Sequence, residues 1–149
     1  MASFVLRAAI AAAPDAVFAV LTDPASQPRL FPGSSPDVLV GPGPLRSGSR
    51  LKRSRTLSGN TFAAEATVEV HRPPKEFSVT GESRGVRIET RWRLTPTAAD
   101  GNATNVEYEC RIAASGLASL FEGAILDALK KADTEHLERL RALVETRVA

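Results

Sequence analysis

Arg53 and Arg55 make the strongest chemical demand in this sequence. They alternate with Leu51 and Leu57, so a strand that turns those leucines inward turns both guanidinium groups inward as well. An unpaired guanidinium in an apolar interior is very costly, and each must therefore meet a carboxylate, a ligand anion or cavity water. On that reading the two arginines orient an acidic or carbonyl-bearing ligand at a cavity mouth, using their rigid fork of donors. The alternative is an edge or bulged strand from which both reach solvent along their apolar stems.

Thr90, Trp92, Tyr108 and Cys110 share the inward parity of their strands and carry polar atoms to the apolar side. Buried Tyr and Trp usually find one hydrogen-bond partner, which makes them core residues with a polar handle. Cys110 has no histidine at a spacing that would activate it, and burial raises a thiol pKa, so it is not read as a nucleophile. His71, at the end of a strand on the polar side, and His136, on a C-terminal helix, are assigned to the surface. Neither has a second ligand at metal-binding spacing, so no metal site is expected.

Cyclisation, aldol or dehydration chemistry needs an acid or base in contact with substrate. The alternation sends Glu65, Glu69, Glu89, Glu107 and Glu109 to solvent, leaving Tyr108, Thr90 and the arginines, which orient a carbonyl but are weak bases. No catalytic residue is assigned and no cofactor is expected. An enzyme would need an inward group such as Asp23 or His136.

These residues are positioned by a period of two that runs from Leu51 to Ile112. Phe62, Ala64, Ala66, Val68 and Val70, then Phe77 and Val79, then Val86 to Leu94 and Val106 to Ile112 at alternate positions, form one apolar face. Glu65, Thr67, Glu69 and His71, then Arg87, Arg91 and Arg93, then Glu107 and Glu109 form a polar one. That is an antiparallel sheet with one covered and one wet face, and its opposite charges on neighbouring strands support the pairing. The strands read as Phe4–Ile10, Asp37–Val40, Arg50–Leu57, Thr61–Arg72, Lys75–Glu82, Gly85–Thr95 and Thr104–Ala113. Turn-rich separators lie between them, including Ser58-Gly59-Asn60 and the hairpin around Asp100-Gly101. A short helix starts at Pro14 with Asp15 in its first turn and stops at Asp23-Pro24, and Ala25–Leu30 forms a second.

From Leu117 to Val148 the period becomes helical, through Leu120, Phe121, Ile125, Leu129, Leu137, Leu140 and Val144. About thirty residues make a rod of roughly 45 Å, which needs the apolar face of the sheet as its partner. Ala64 and Ala66 on the sheet, with Gly123 and Ala124 on the helix, leave little side-chain volume between the layers. Either a cavity or close packing satisfies that pattern.

The chain has 149 residues, suited to a single domain spanning 1–149 that buries roughly 70% of its unfolded surface. Hydrophobic residues at 43% and charged residues at 24% exclude wholesale disorder. Net charge is +2, and the basic cluster Arg46, Arg50, Lys52, Arg53 and Arg55 is split between faces without interleaved aromatics, so no nucleic-acid partner is expected. Cys110 is the single cysteine, which excludes an internal disulfide and fits a reducing, cytoplasmic setting. No apolar run approaches the roughly 18 residues of a membrane span, and Arg7 spoils the signal-peptide look of Ala8 to Ala13.

A strand, two short helices, an antiparallel run and a long C-terminal helix resembles the helix-grip (SRPBCC, START-like) superfamily. Its members include START lipid-transfer domains, pollen-allergen-like plant proteins and bacterial polyketide cyclase/dehydrase-like proteins. The resemblance is carried by Pro14-Asp15-Ala16-Val17-Phe18 with Leu21 and Asp23, by the segment Gly43 to Arg50, and by Asp100-Gly101 leading into Val106-Glu107-Tyr108. It implies an α+β fold, a curved antiparallel sheet of six to seven strands wrapped around the C-terminal helix. It also implies a cavity of a few hundred Å³ for a hydrophobic small molecule such as a lipid, polyketide or aromatic metabolite. The expected ligand-binding residues are Arg53, Arg55, Phe62, Ala64, Ala66, Phe77, Thr90, Trp92, Tyr108, Cys110, Phe121 and Ile125. A cyclase/dehydratase-like enzyme acting in the same cavity is the alternative, and a protein-interaction module is a third, in a monomer or homodimer.

Overall fold

Alternating Phe4, Leu6, Ala8 and Ile10 begin β1 (Ala2–Ile10) in a computed structural model that describes residues 2–57, 59–97, 99 and 101–148. Ser58 and Asp100, expected in hairpin turns, lie outside the described residues. The remaining strands are β2 (Val38–Val40), β3 (Arg50–Leu57), β4 (Asn60–Arg72), β5 (Glu76–Ser83), β6 (Val86–Pro96) and β7 (Thr104–Ala114). They form one seven-stranded antiparallel sheet in the order β1-β7-β6-β5-β4-β3-β2, open at both edges. Its wet face is laced by charge as expected: Arg93 pairs in register with Glu107, Arg91 with Glu109 and Glu89 with Arg111. The Arg93 and Glu107 side chains meet at 3.3 Å.

One strand departs from simple alternation. Val68 pairs with Val79 and Val70 with Ser78, so Glu69 is an extra residue bulged out of β4. Past it the faces exchange. His71, expected on the wet side, pairs with Phe77 and packs its ring 5.5 Å from Phe18 on the covered side.

Helix α1 (Pro14–Leu21) starts at Pro14, whose missing N–H is no loss at that position, and buries Val17, Phe18, Val20 and Leu21. Asp23 accepts from the Ala25 N–H and starts a single 3-10 turn, Pro24–Ser26, that leads into α2 (Gln27–Leu30). Pro28 is tolerated there because it sits in the first turn.

The terminal helical segment is long, but it is not one rod. Gly116–Phe121 is a 3-10 helix, and α3 (Glu122–Asp133) and α4 (His136–Val148) follow. Three residues per turn stack Leu117 and Leu120 on one line. That line faces outward, leaving Leu117, Leu120 and Phe121 at 83%, 77% and 61% exposure rather than on the sheet. Gly123 and Ala124 are also exposed, and the sheet side of α3 is Ile125, Ala128 and Leu129. At the junction of α3 and α4 the Thr134 hydroxyl donates back to the Lys130 carbonyl at 2.6 Å, a bond that bends helices. Helix α4 packs on β1, α1 and α2 and fills one half of the sheet with Leu137, Leu140 and Val144. Helix α3 packs on β1 and β7 and leaves space over β3 to β6 unfilled. None of the described helices is long and apolar enough to cross a membrane.

Candidate ligand cavity

Beneath α3 lies a cavity of about 340 Å³, at the lower end of the range of small-molecule sites. Its volume comes from small side chains. Ala64 on β4 and Gly81 on β5 form the floor, and Ala128 lies in the roof. A methyl group added at Gly81 would stand 3.5 Å from the Ala66 Cβ, ordinary contact distance, so the glycine simply leaves room above it.

Arg53 and Arg55 both face the cavity, in register with Ala64 and Phe62, as the inward reading requires. Each has found a carboxylate. Arg53 grips Asp37 with two bonds, Nε to Oδ1 at 3.1 Å and Nη2 to Oδ2 at 2.7 Å. Arg55 donates from Nη2 to Asp133 Oδ1 at 2.6 Å, and its guanidinium lies 5.2 Å from the centre of the Phe31 ring. The Arg55 Nε is buried without a partner. Burial raises the Asp133 carboxyl pKa even though Arg55 pulls it down.

Tyr108 and Cys110 come from alternate positions of β7 and stand side by side on the cavity wall. Burial raises the Tyr108 phenol well above its ordinary value and pushes the Cys110 thiol up to about 12. Both are therefore neutral donors at neutral pH. The Thr90 hydroxyl is turned to the Val79 carbonyl at 3.3 Å.

His136 is buried, not at the surface. The Trp92 indole Nε1–H donates to its Nε2 at 2.9 Å, so the ring proton sits on Nδ1 and points to the Leu30 carbonyl 3.3 Å away. Desolvation drops its pKa to about 3. It lies behind Trp92 with its lone pair already engaged, and is fixed as a neutral structural group. Asp23 caps the turn at Pro24 and approaches Arg147 at the surface, so it is no inward acid either.

Of the residues expected to bind ligand, Arg53, Arg55, Phe62, Ala64, Thr90, Trp92, Tyr108, Cys110 and Ile125 line the cavity together. Ala66 is buried in the core, Phe77 packs on Trp92 with ring centres 5.8 Å apart, and Phe121 is exposed. Asp37, Phe31 and Asp133 were not anticipated. A signal for Asp133 exists, since Leu129, Asp133, His136, Leu140 and Val144 share one helical phase and two of the five are polar. Asp37 follows from hairpin register, because Val38 pairs with Lys52 and thereby sets Asp37 opposite Arg53. The described residues contain no group of His, Cys, Asp and Glu able to hold a metal ion.

Known structures share this architecture. The chain is similar to the Zhui aromatase/cyclase from a Streptomyces species, at 16% identity and a TM-score of 0.78 over 99% of this chain and 96% of that one. It is similar to a Thermus thermophilus protein at 13% identity and a TM-score of 0.79, over 99% of this chain and 100% of that one. A START superfamily protein from Mycobacterium smegmatis matches at 14% identity and a TM-score of 0.68, over 97% of each chain. No curated protein matches the sequence. The family described as polyketide cyclase / dehydrase and lipid transport matches residues 1–145. With that match extending from β1 through most of α4, the chain belongs to this family.

Proposed function

We propose that the protein binds and carries a neutral, largely apolar small molecule with a carbonyl-type acceptor at one end, held in the cavity between the sheet and α3. The observation that carries this reading is the electrostatic balance of the cavity. Its walls are mostly apolar, and the two enclosed arginines that face it, Arg53 and Arg55, are already neutralised by Asp37 and Asp133, while the third, Arg84, is exposed at the rim. A ligand carboxylate placed between Arg53 and Arg55 would meet cations that are already paired and would add a charge beside Asp133. A carbonyl, by contrast, carries no charge and can accept from the Arg55 Nε–H, which has no partner, from the Tyr108 hydroxyl or from the Cys110 thiol.

The cyclase/dehydratase alternative draws support from the meeting of Arg55 and Tyr108 on one cavity, and its candidate base His136 is engaged by Trp92. The cavity favours a small-molecule role over an interaction module. A reducing, cytoplasmic setting and a monomer or homodimer belong to the same reading.

Trp92 is the sole tryptophan and forms part of the cavity wall, so its emission reports occupancy. Titration with N-phenyl-1-naphthylamine, which is neutral, and with its anionic relative 1-anilinonaphthalene-8-sulfonate should show tighter binding of the neutral probe. Native mass spectrometry of protein from its own host should show a bound neutral molecule. Preference for the anionic probe would reject the reading.

A further inference from the structure

The turn between β5 and β6 carries a residue that its backbone does not favour. Ser83 pairs with Val86, leaving Arg84 and Gly85 as a two-residue turn with φ of 52° and 78°. Positive φ at both positions is the primed hairpin geometry that Asn-Gly suits best, and Arg84 is the one non-glycine residue with positive φ among the described residues. Turn formation therefore does not explain the arginine. Its side chain does something the turn does not need.

That side chain extends across to the neighbouring hairpin. The Arg84 guanidinium lies 5.0 Å from the centre of the Phe62 ring, and Nη2 donates to the Thr61 carbonyl at 3.3 Å. Arg84 and Phe62 both border the cavity, and Gly85 beside Arg84 lies against Ser115 and Ala118. The turn itself is anchored, since the Ser115 N–H and hydroxyl both donate to the Gly85 carbonyl, at 2.9 and 3.3 Å. Any opening here thus belongs to the exposed arginine side chain and not to the backbone. A cation over an aromatic ring at an exposed site is worth a factor of about two to five in an equilibrium, firm enough to hold the arm across the lip and weak enough to release it.

We propose that Arg84 is the gate of the cavity: by lying across Phe62 it narrows the outer lip and sets the rate at which an apolar molecule enters and leaves. The proposal rests on the reading of the cavity as a ligand site. Arg84→Asn keeps the preferred turn chemistry and removes the arm, and Phe62→Leu keeps an apolar lip and removes the ring. Stopped-flow quenching of Trp92 by N-phenyl-1-naphthylamine measures both rate constants. In R84N both should rise about two- to fivefold. F62L should do the same, and the double variant should be no faster than either single one. R84N rates equal to those of the native protein, or singles whose effects multiply in the double variant, overturn the gate and leave the cavity reading intact. Probe binding by R84N but not by the native protein supports it, and binding by neither overturns gate and cavity reading together. Arg84→Gly, equally suited to the turn, replaces R84N if circular dichroism shows that R84N has not folded.

Discussion

Arg55 on β3 and Asp133 at the end of α3 meet at 2.6 Å across the cavity, tying the sheet to the helix that roofs it. Asp133 is 2% exposed and Arg55 is mostly enclosed. Removing one partner strands the other in a poorly hydrated place. We expect Asp133→Ala to cost about 3 kcal/mol in urea unfolding. Arg55→Met with Asp133→Leu should cost clearly less, because no charge is left behind. Single losses that simply add in the double variant would show that the pair is uncoupled.

The neutral state of His136 has a signature in acid. Its folded pKa of about 3 lies below the ordinary 6.5, so below pH 6.5 the unfolded chain takes up a proton that the folded protein refuses. Stability is therefore lost as pH falls from 6.5 toward 3, by up to about 1.4 kcal/mol per pH unit. Asp133, with its carboxyl raised, acts in the opposite sense and is common to both proteins compared. His136→Gln should flatten the slope of the urea midpoint between pH 6.5 and 4, and an unaltered slope would contradict the assignment.

Filling the floor tests the cavity directly. Ala64 projects into open volume, so Ala64→Phe should abolish quenching of Trp92 by N-phenyl-1-naphthylamine while the protein stays folded. The same change in a packed core would cost about 1–3 kcal/mol, so a thermal midpoint close to that of the native protein is the accompanying expectation.

Cys110 should be unreactive. A thiol pKa of about 12 in place of 9.0 lowers the thiolate fraction at pH 8 about a thousandfold. Ellman's reagent should modify it correspondingly slowly in the native protein and at once in urea. Fast native reaction would mean that the β7 wall is open to solvent.

The architecture was legible in the residues themselves. A period of two sets the faces of β4 to β7, Pro14 and Asp23-Pro24 bound α1, and a change to helical period marks the terminal segment, because local geometry alone dictates which side chains share a side. The inward parity of Arg53, Arg55, Trp92 and Tyr108 follows from the same rule. The tertiary structure decided what local pattern cannot carry. The Glu69 bulge exchanged the faces at His71 through its pairing with β5, outside the window in which a strand period is read, and the terminal segment broke at Thr134 although its apolar period continues across the break. The fate of the arginines was decided the same way. Whether an inward guanidinium binds a ligand or a carboxylate depends on Asp37 and Asp133, the latter 78 positions from Arg55 in the chain and 2.6 Å from it in space.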